Sequence, residues 1–138
     1  MKTIRVFFMA LALILVLGAK AQTVYNGSGS SIGKIENDGI IRNRSGASVG
    51  RFDSDGTIRN SSGSSIGKID SNGTIRNGSG SSIGKIDSDG IVRNSSGSSI
   101  GKVESDGTVR NGSGSSIGKA AGIRREWVAA FFFFFPFY

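Results

Sequence analysis

Five times the chain sets two oxygen-bearing side chains two residues apart in front of a glycine: Glu36/Asp38, Asp53/Asp55, Asp70/Asn72, Asp87/Asp89 and Glu104/Asp106. Hard oxygen ligands at that spacing could begin a calcium loop. An EF-hand loop also needs further ligands and a bidentate Glu at its twelfth position, which here falls in a Ser/Gly segment. Turn chemistry alone accounts for Asp, Ser and Gly in such a tetrapeptide. The same carboxylates could serve as a glycosidase acid/base pair. That requires two carboxyls in unlike environments across a cleft, whereas five equivalent turns offer equivalent, solvated ones. The chain has no His and no Cys. Without them it has no side chain that titrates near neutrality unaided, no thiolate nucleophile and no disulfide. The expectation is therefore a protein without catalytic residues, resident metal or cofactor.

Cations recur as regularly as the acids. Arg42, Arg59, Arg76, Arg93 and Arg110 share one site of a repeating unit, and Lys34, Arg51, Lys68, Lys85, Lys102 and Lys119 share another. If the units close into a ring, these become circles of positive charge. Arg42, Arg59, Arg76, Arg93, Arg110, Lys68, Lys85 and Lys102 form the candidate ligand surface, suited to a surface glycan or another anionic polymer. Interleaved acids argue for mutual pairing on a sheet surface instead. The net charge of +7 shrinks once Lys2, Arg5 and Lys20 are set aside with an N-terminal leader, leaving 14 basic against 10 acidic residues. That dispersed, mixed surface argues against nucleic acid as a partner.

What must position these residues is a repeat of 17. Copies run 23–39, 40–56, 57–73, 74–90 and 91–107, with a truncated sixth from Thr108. Each copy splits into two short strands, for example Thr74–Asn77 and Ser81–Asp87. An Asp/Asn-Gly turn with positive φ at both central positions is one expected connection, and a Ser/Gly link is the other. Ile83 and Ile86 are three apart, so a regular strand would send them to opposite faces. A bulge at Gly84 would return both to the face that Ile75 shares. Three core side chains cannot offset the ordering of 17 residues, so the units must share one core. The chain opens its repeats on a lone first-type strand and closes them on a second-type strand, Ser115–Lys119. Those halves could pair. The fold class expected is all-β, a closed ring of short antiparallel hairpins with a propeller-like axis, a β-solenoid being the alternative.

The recurring Ile-Arg-Asn, Ser-Gly-x-Ser-Ile-Gly-Lys and Asp-Ser-Asp-Gly stretches resemble those of the secreted five-fold β-flower proteins. The resemblance spans Thr23 to Lys119 and the apolar tail. It implies a closed, flower-like array of hairpins with no assigned activity. Five turn-bearing hairpins stand against six Ile/Val-Gly-Lys/Arg copies, which leaves five-fold or six-fold pseudo-symmetry open.

Three segments organise the chain: residues 1–21, the repeats over 22–122 and a tail over 123–138. Met1–Arg5 is basic, Val6–Leu17 is an apolar run of twelve, and Ala19-Lys20-Ala21 is a small-x-small cleavage site. That order predicts a signal peptide cleaved before Gln22, and no membrane span in the mature chain. The product is expected to be exported, whether periplasmic, on the outer surface or secreted. The tail, Trp127 to Phe135 before Pro136, is expected to fold back as a short helix and plug the ring, filling or covering its apolar mouth, with a membrane or partner contact as the other reading. The functional expectation is a non-enzymatic exported structural or interaction module whose partner, such as a surface glycan or another envelope protein, is unknown. Its alternative is a carbohydrate or anionic-polymer binding module using the Arg/Lys ring.

Overall fold

The computed structural model describes residues 22–137; the signal peptide expected over residues 1–21 lies outside the described residues. Each repeat supplies two strands. The first type comprises β1 (Gln22–Asn26), β3 (Ile40–Asn43), β5 (Thr57–Asn60), β7 (Thr74–Asn77), β9 (Ile91–Asn94) and β11 (Thr108–Asn111). The second comprises β2 (Ser31–Ile35), β4 (Ser48–Phe52), β6 (Ser65–Ile69), β8 (Ser82–Ile86), β10 (Ser99–Val103) and β12 (Ser116–Lys119). Every strand pairs antiparallel with its sequence neighbours, and β1 pairs with β12, so the twelve strands close into a barrel. Closed antiparallel pairing excludes the solenoid.

The five-or-six ambiguity resolves at the two rims. One rim carries six turns that begin at Asn26, Asn43, Asn60, Asn77, Asn94 and Asn111, and the other carries five that begin at Glu36, Asp53, Asp70, Asp87 and Glu104. The missing sixth acidic turn is the seam between β12 and β1, where the repeats begin and end. The barrel therefore has six units. Tyr25 of the first copy stands where the later copies have Arg, and the acid it would pair with across the seam belongs to the sixth copy, which has Ala121 there.

Both turn types share one backbone, and it differs from the expected two-residue turn. At the acidic rim Gly90 N–H donates to the Asp87 carbonyl and Asp87 N–H to the Ile91 carbonyl; at the other rim Gly80 and Asn77 do the same with Asn77 and Ser81. Among the described residues only glycines have positive φ, Gly90 at 93° and Gly80 at 90°. This is a three-residue loop, a type I turn followed by a left-handed glycine. The reason lies at the first position. The residue there, Asn at one rim and Asp or Glu at the other, opens the turn with its backbone two residues before the expected centre, leaving one position that needs glycine. Asn77 Oδ1 accepts from Ser79 N–H, Ser79 Oγ and Ser81 N–H at 2.9–3.1 Å, which fixes the link as firmly as the backbone does.

The bulge lies where the isoleucine spacing requires it. Ile75 pairs with Gly84 but Arg76 pairs with Ser82, so Ile83 is the extra residue. Four inward layers result. Val24, Ile41, Ile58, Ile75, Val92 and Val109 form a fully buried ring, and Ile35, Phe52, Ile69, Ile86, Val103 and Ala120 form another beside the acidic rim. The glycines of the Ile-Gly-Lys stretches form the third, and Ile32, Val49, Ile66, Ile83, Ile100 and Ile117 the fourth, nearest the Asn turns.

About eight strands already give a barrel just wide enough for its own side chains to fill, so twelve leave an empty lumen. The tail fills it. Helix α1 (Arg125–Ala129) continues into a π-helical segment, Ala130–Phe134, and Trp127, Val128, Ala129, Ala130 and Phe131 are all buried in the core. The tail thus lies within the barrel, deeper than a cover over its mouth. Phe52, the largest side chain of its layer, stacks on Trp127 at 5.3 Å and 10°.

The candidate functional site and what the repeats commit

How the phenylalanines are received does not follow from the repeat pattern alone. A Cβ built on Gly118, Gly67 or Gly50 would come within 2.5 Å of the ring of Phe132, Phe135 or Phe137, and Gly101 and Gly84 meet Phe133 and Phe134 as closely. Phe132 to Phe135 thus sit on four glycines of successive units, and Phe137 sits on a fifth. An α-helix turns about 100° per residue, too far for neighbouring units spaced about 60° apart in a ring of six. The wider π turn, closed by Phe135 N–H to the Ala130 carbonyl, turns less per residue and brings successive rings nearer to successive seats. The same glycines let strands approach, since the Gly84 Cβ would also lie 2.6 Å from the Arg93 carbonyl. The signal was present in the sequence, as a glycine at one strand position in every copy beside a run of five Phe.

The arginines of the candidate ligand surface are tied into the scaffold. Arg76 Nε donates to Asp70 Oδ2 at 2.8 Å while its Nη1 donates to the Gly80 carbonyl at 3.1 Å. Arg42, Arg59, Arg93 and Arg110 repeat that pattern with Glu36, Asp53, Asp87 and Glu104 at 2.7–3.1 Å, and with the glycine carbonyl of their own Asn turns. Each arginine clamps one rim to the other along the outside of the barrel. The lysines differ. Lys68, Lys85 and Lys102 are exposed, stand opposite Arg76, Arg93 and Arg110 across the strands, and make no ion pair among the described residues. Lys34, Lys119 and Arg51 continue this belt, Arg51 lying 3.3 Å from Asp53.

The paired acids separate by task. The first of each pair receives the arginine, while the second caps its own turn. Asp55 Oδ1 accepts Thr57 N–H at 3.0 Å, and Asp106 Oδ1 accepts Thr108 N–H at 2.9 Å. The backbone and then the hydroxyl of those threonines hold both carboxyls below their ordinary value of 3.8. Among the described residues, no three His, Cys, Asp or Glu are grouped to hold a metal, and no buried polar side-chain atom lacks a partner.

One cleft interrupts the regularity. Where the tail enters at the acidic rim it borders a cavity of about 570 Å³. Residues 54–56, 69–73 and 86–88, from three neighbouring acidic turns, line it together with Arg124, Glu126 and Trp127 of the tail.

Curated proteins and solved structures give no match to this chain. A family model described as "5-fold beta-flower protein" matches residues 21–136, which takes in every repeat and nearly all of the tail. With the ring of hairpins closed on itself as that family implies, the chain belongs to the 5-fold β-flower family.

Proposed function

We propose that this chain is a non-enzymatic interaction module that acts outside the cytoplasm, with the repeats as a rigid scaffold. One observation carries the reading. The acid that opens each of the five acidic turns is bonded to a repeat arginine, so the side chains best suited to acid–base work are spent holding the two rims together. Catalytic carboxylates need unlike environments, and repetition makes these environments alike. The basic and apolar pattern of residues 1–21 supports export. A screen for polysaccharide and ester hydrolysis tests the first point. Turnover that disappears in Asp87→Asn would overturn it. Mass measurement of protein recovered outside the cell tests the second, with Gln22 expected as the first residue.

The lysine belt favours a more specific reading, an anionic polymer such as an acidic polysaccharide as the partner. The arginines beside Lys68, Lys85 and Lys102 are neutralised by their acids, whereas the exposed lysines are in no ion pair among the described residues. Retention on an anionic polysaccharide resin should fall in moderate salt, and should be lost in the triple variant Lys68→Gln/Lys85→Gln/Lys102→Gln. Identical elution of parent and variant would rule out the belt as the contact.

A further inference from the structure

The tail turns five similar acidic turns into one distinct cleft, and the sequence marks the same place. The turns that line it are consecutive around the rim, with 70–73 in the middle. That middle turn alone has an amide, Asn72, where the other four have Asp38, Asp55, Asp89 and Asp106. Asn72 Oδ1 accepts Thr74 N–H at 3.0 Å, doing the turn-capping work that the aspartates do elsewhere. Among the described residues its Nδ2 makes no hydrogen bond, so it can donate one.

Charge narrows the ligand class. Asp70 and Asp87 face the cleft but are paired with Arg76 and Arg93 at 2.8 and 2.9 Å, and Glu126 lies 3.5 Å from Arg124. Asp55 is the one cleft carboxylate without an ion pair among the described residues. The lining is therefore close to neutral, with hydroxyl donors at Ser54, Ser71 and Ser88; its apolar part is the nearly buried edges of Ile69, Ile86 and Trp127, the Trp127 ring being stacked on Phe52 and covered by Arg124 at 5.2 Å. A volume of about 570 Å³ falls within the roughly 300–1,000 Å³ of small-molecule sites. From these observations we propose that the cleft binds a neutral saccharide, its hydroxyls shared among Asn72 Nδ2, Asp55 and the serines. The proposal rests on the interaction-module reading but uses a surface separate from the lysine belt, so either can fail without the other.

Trp127 is the only tryptophan in the chain, so indole emission reports on this cleft. Whole mature protein is titrated with the methyl glycosides of glucose, galactose, mannose and N-acetylglucosamine, with their β-linked disaccharides, and with spermidine as a cationic control. The expected result is a saturable emission change with at least one saccharide and none with spermidine. Asn72→Asp recreates the residue of the other four turns, so its melting temperature should match the parent. Its saccharide affinity should fall about tenfold through a lost donor and an added charge. The proposal is overturned if no saccharide is bound by emission or calorimetry, if spermidine binds and saccharides do not, or if Asn72→Asp binds as tightly as the parent.

Discussion

Gly84→Ala puts the seating of the tail to a quantitative test. The added methyl would lie 2.6 Å from the Arg93 carbonyl and closer still to two ring carbons of Phe134. Real Cβ atoms essentially never come within 3.0 Å, so strand or ring must move. Overpacking of this kind costs about 1–3 kcal/mol. In a domain of this size that lowers the melting temperature by on the order of 4 °C per kcal/mol. The equivalent Gly33→Ala meets the Arg42 carbonyl and no phenylalanine among the described residues, so it reports the strand contact alone. Combining Gly84→Ala with Phe134→Ala separates the two causes. If the ring is the main obstacle, the double variant should lose less than the sum of the singles, with a coupling of about 1 kcal/mol. Urea unfolding of the four proteins measures it. Strict additivity would refute the seating.

Other expectations concern the rims. Arg76→Ala should cost about 1 kcal/mol in urea unfolding, since the pair with Asp70 is 39% and 26% exposed and only the backbone bond to Gly80 adds to it. Arg76→Lys should recover little of that loss, because lysine cannot bridge acid and carbonyl with a fork. Asp55 and Asp106 are held below 3.8 in the folded protein, so their contribution is present above the unfolded value and fades as pH falls through the folded one. The melting temperature should therefore be insensitive to these groups from neutrality down to about pH 5 and decline below about pH 4, with carboxyl chemical-shift titration locating both midpoints below 3.8. Millimolar calcium should leave the melting temperature unchanged, because each acid pair is divided between an arginine and a turn N–H. A steady rise with calcium but not magnesium would contradict that assignment.

Repetition made most of the fold legible. The period, the two strands per copy, the bulge that returns Ile83 and Ile86 to one side, and the pairing of the first and last strands all follow from residues that recur at fixed positions. Two features escaped. The Asp-Gly pairs suggested a two-residue turn, but the residue that closes it stands earlier, at Asp87 through its backbone and at Asn77 through backbone and side chain together. The tail's depth depends on lumen width, and width follows from strand number and tilt, which no single repeat encodes. The candidate ligand surface was half legible. Arg76 and Lys85 look interchangeable as recurring cations, and only the register shows that one reaches an acid and the other does not. The cleft could not be read at all, since it arises where a non-repeating tail meets three repeating turns.

The central claim is that a twelve-strand barrel of this sequence stands only with its own tail inside. Truncation after Glu126 tests it most directly, with thermal unfolding, hydrophobic-dye binding and sedimentation read on the same sample. The deletion removes Trp127, Val128, Phe131 and Phe135, each buried, along with the rings seated on five glycines. Large buried side chains contribute about 1.5–3 kcal/mol each, and a whole domain holds only about 5–15 kcal/mol of net stability. The truncated chain should lose its cooperative transition, bind dye and associate. A truncated chain that stays monomeric, excludes dye and melts where the full chain does would contradict the account.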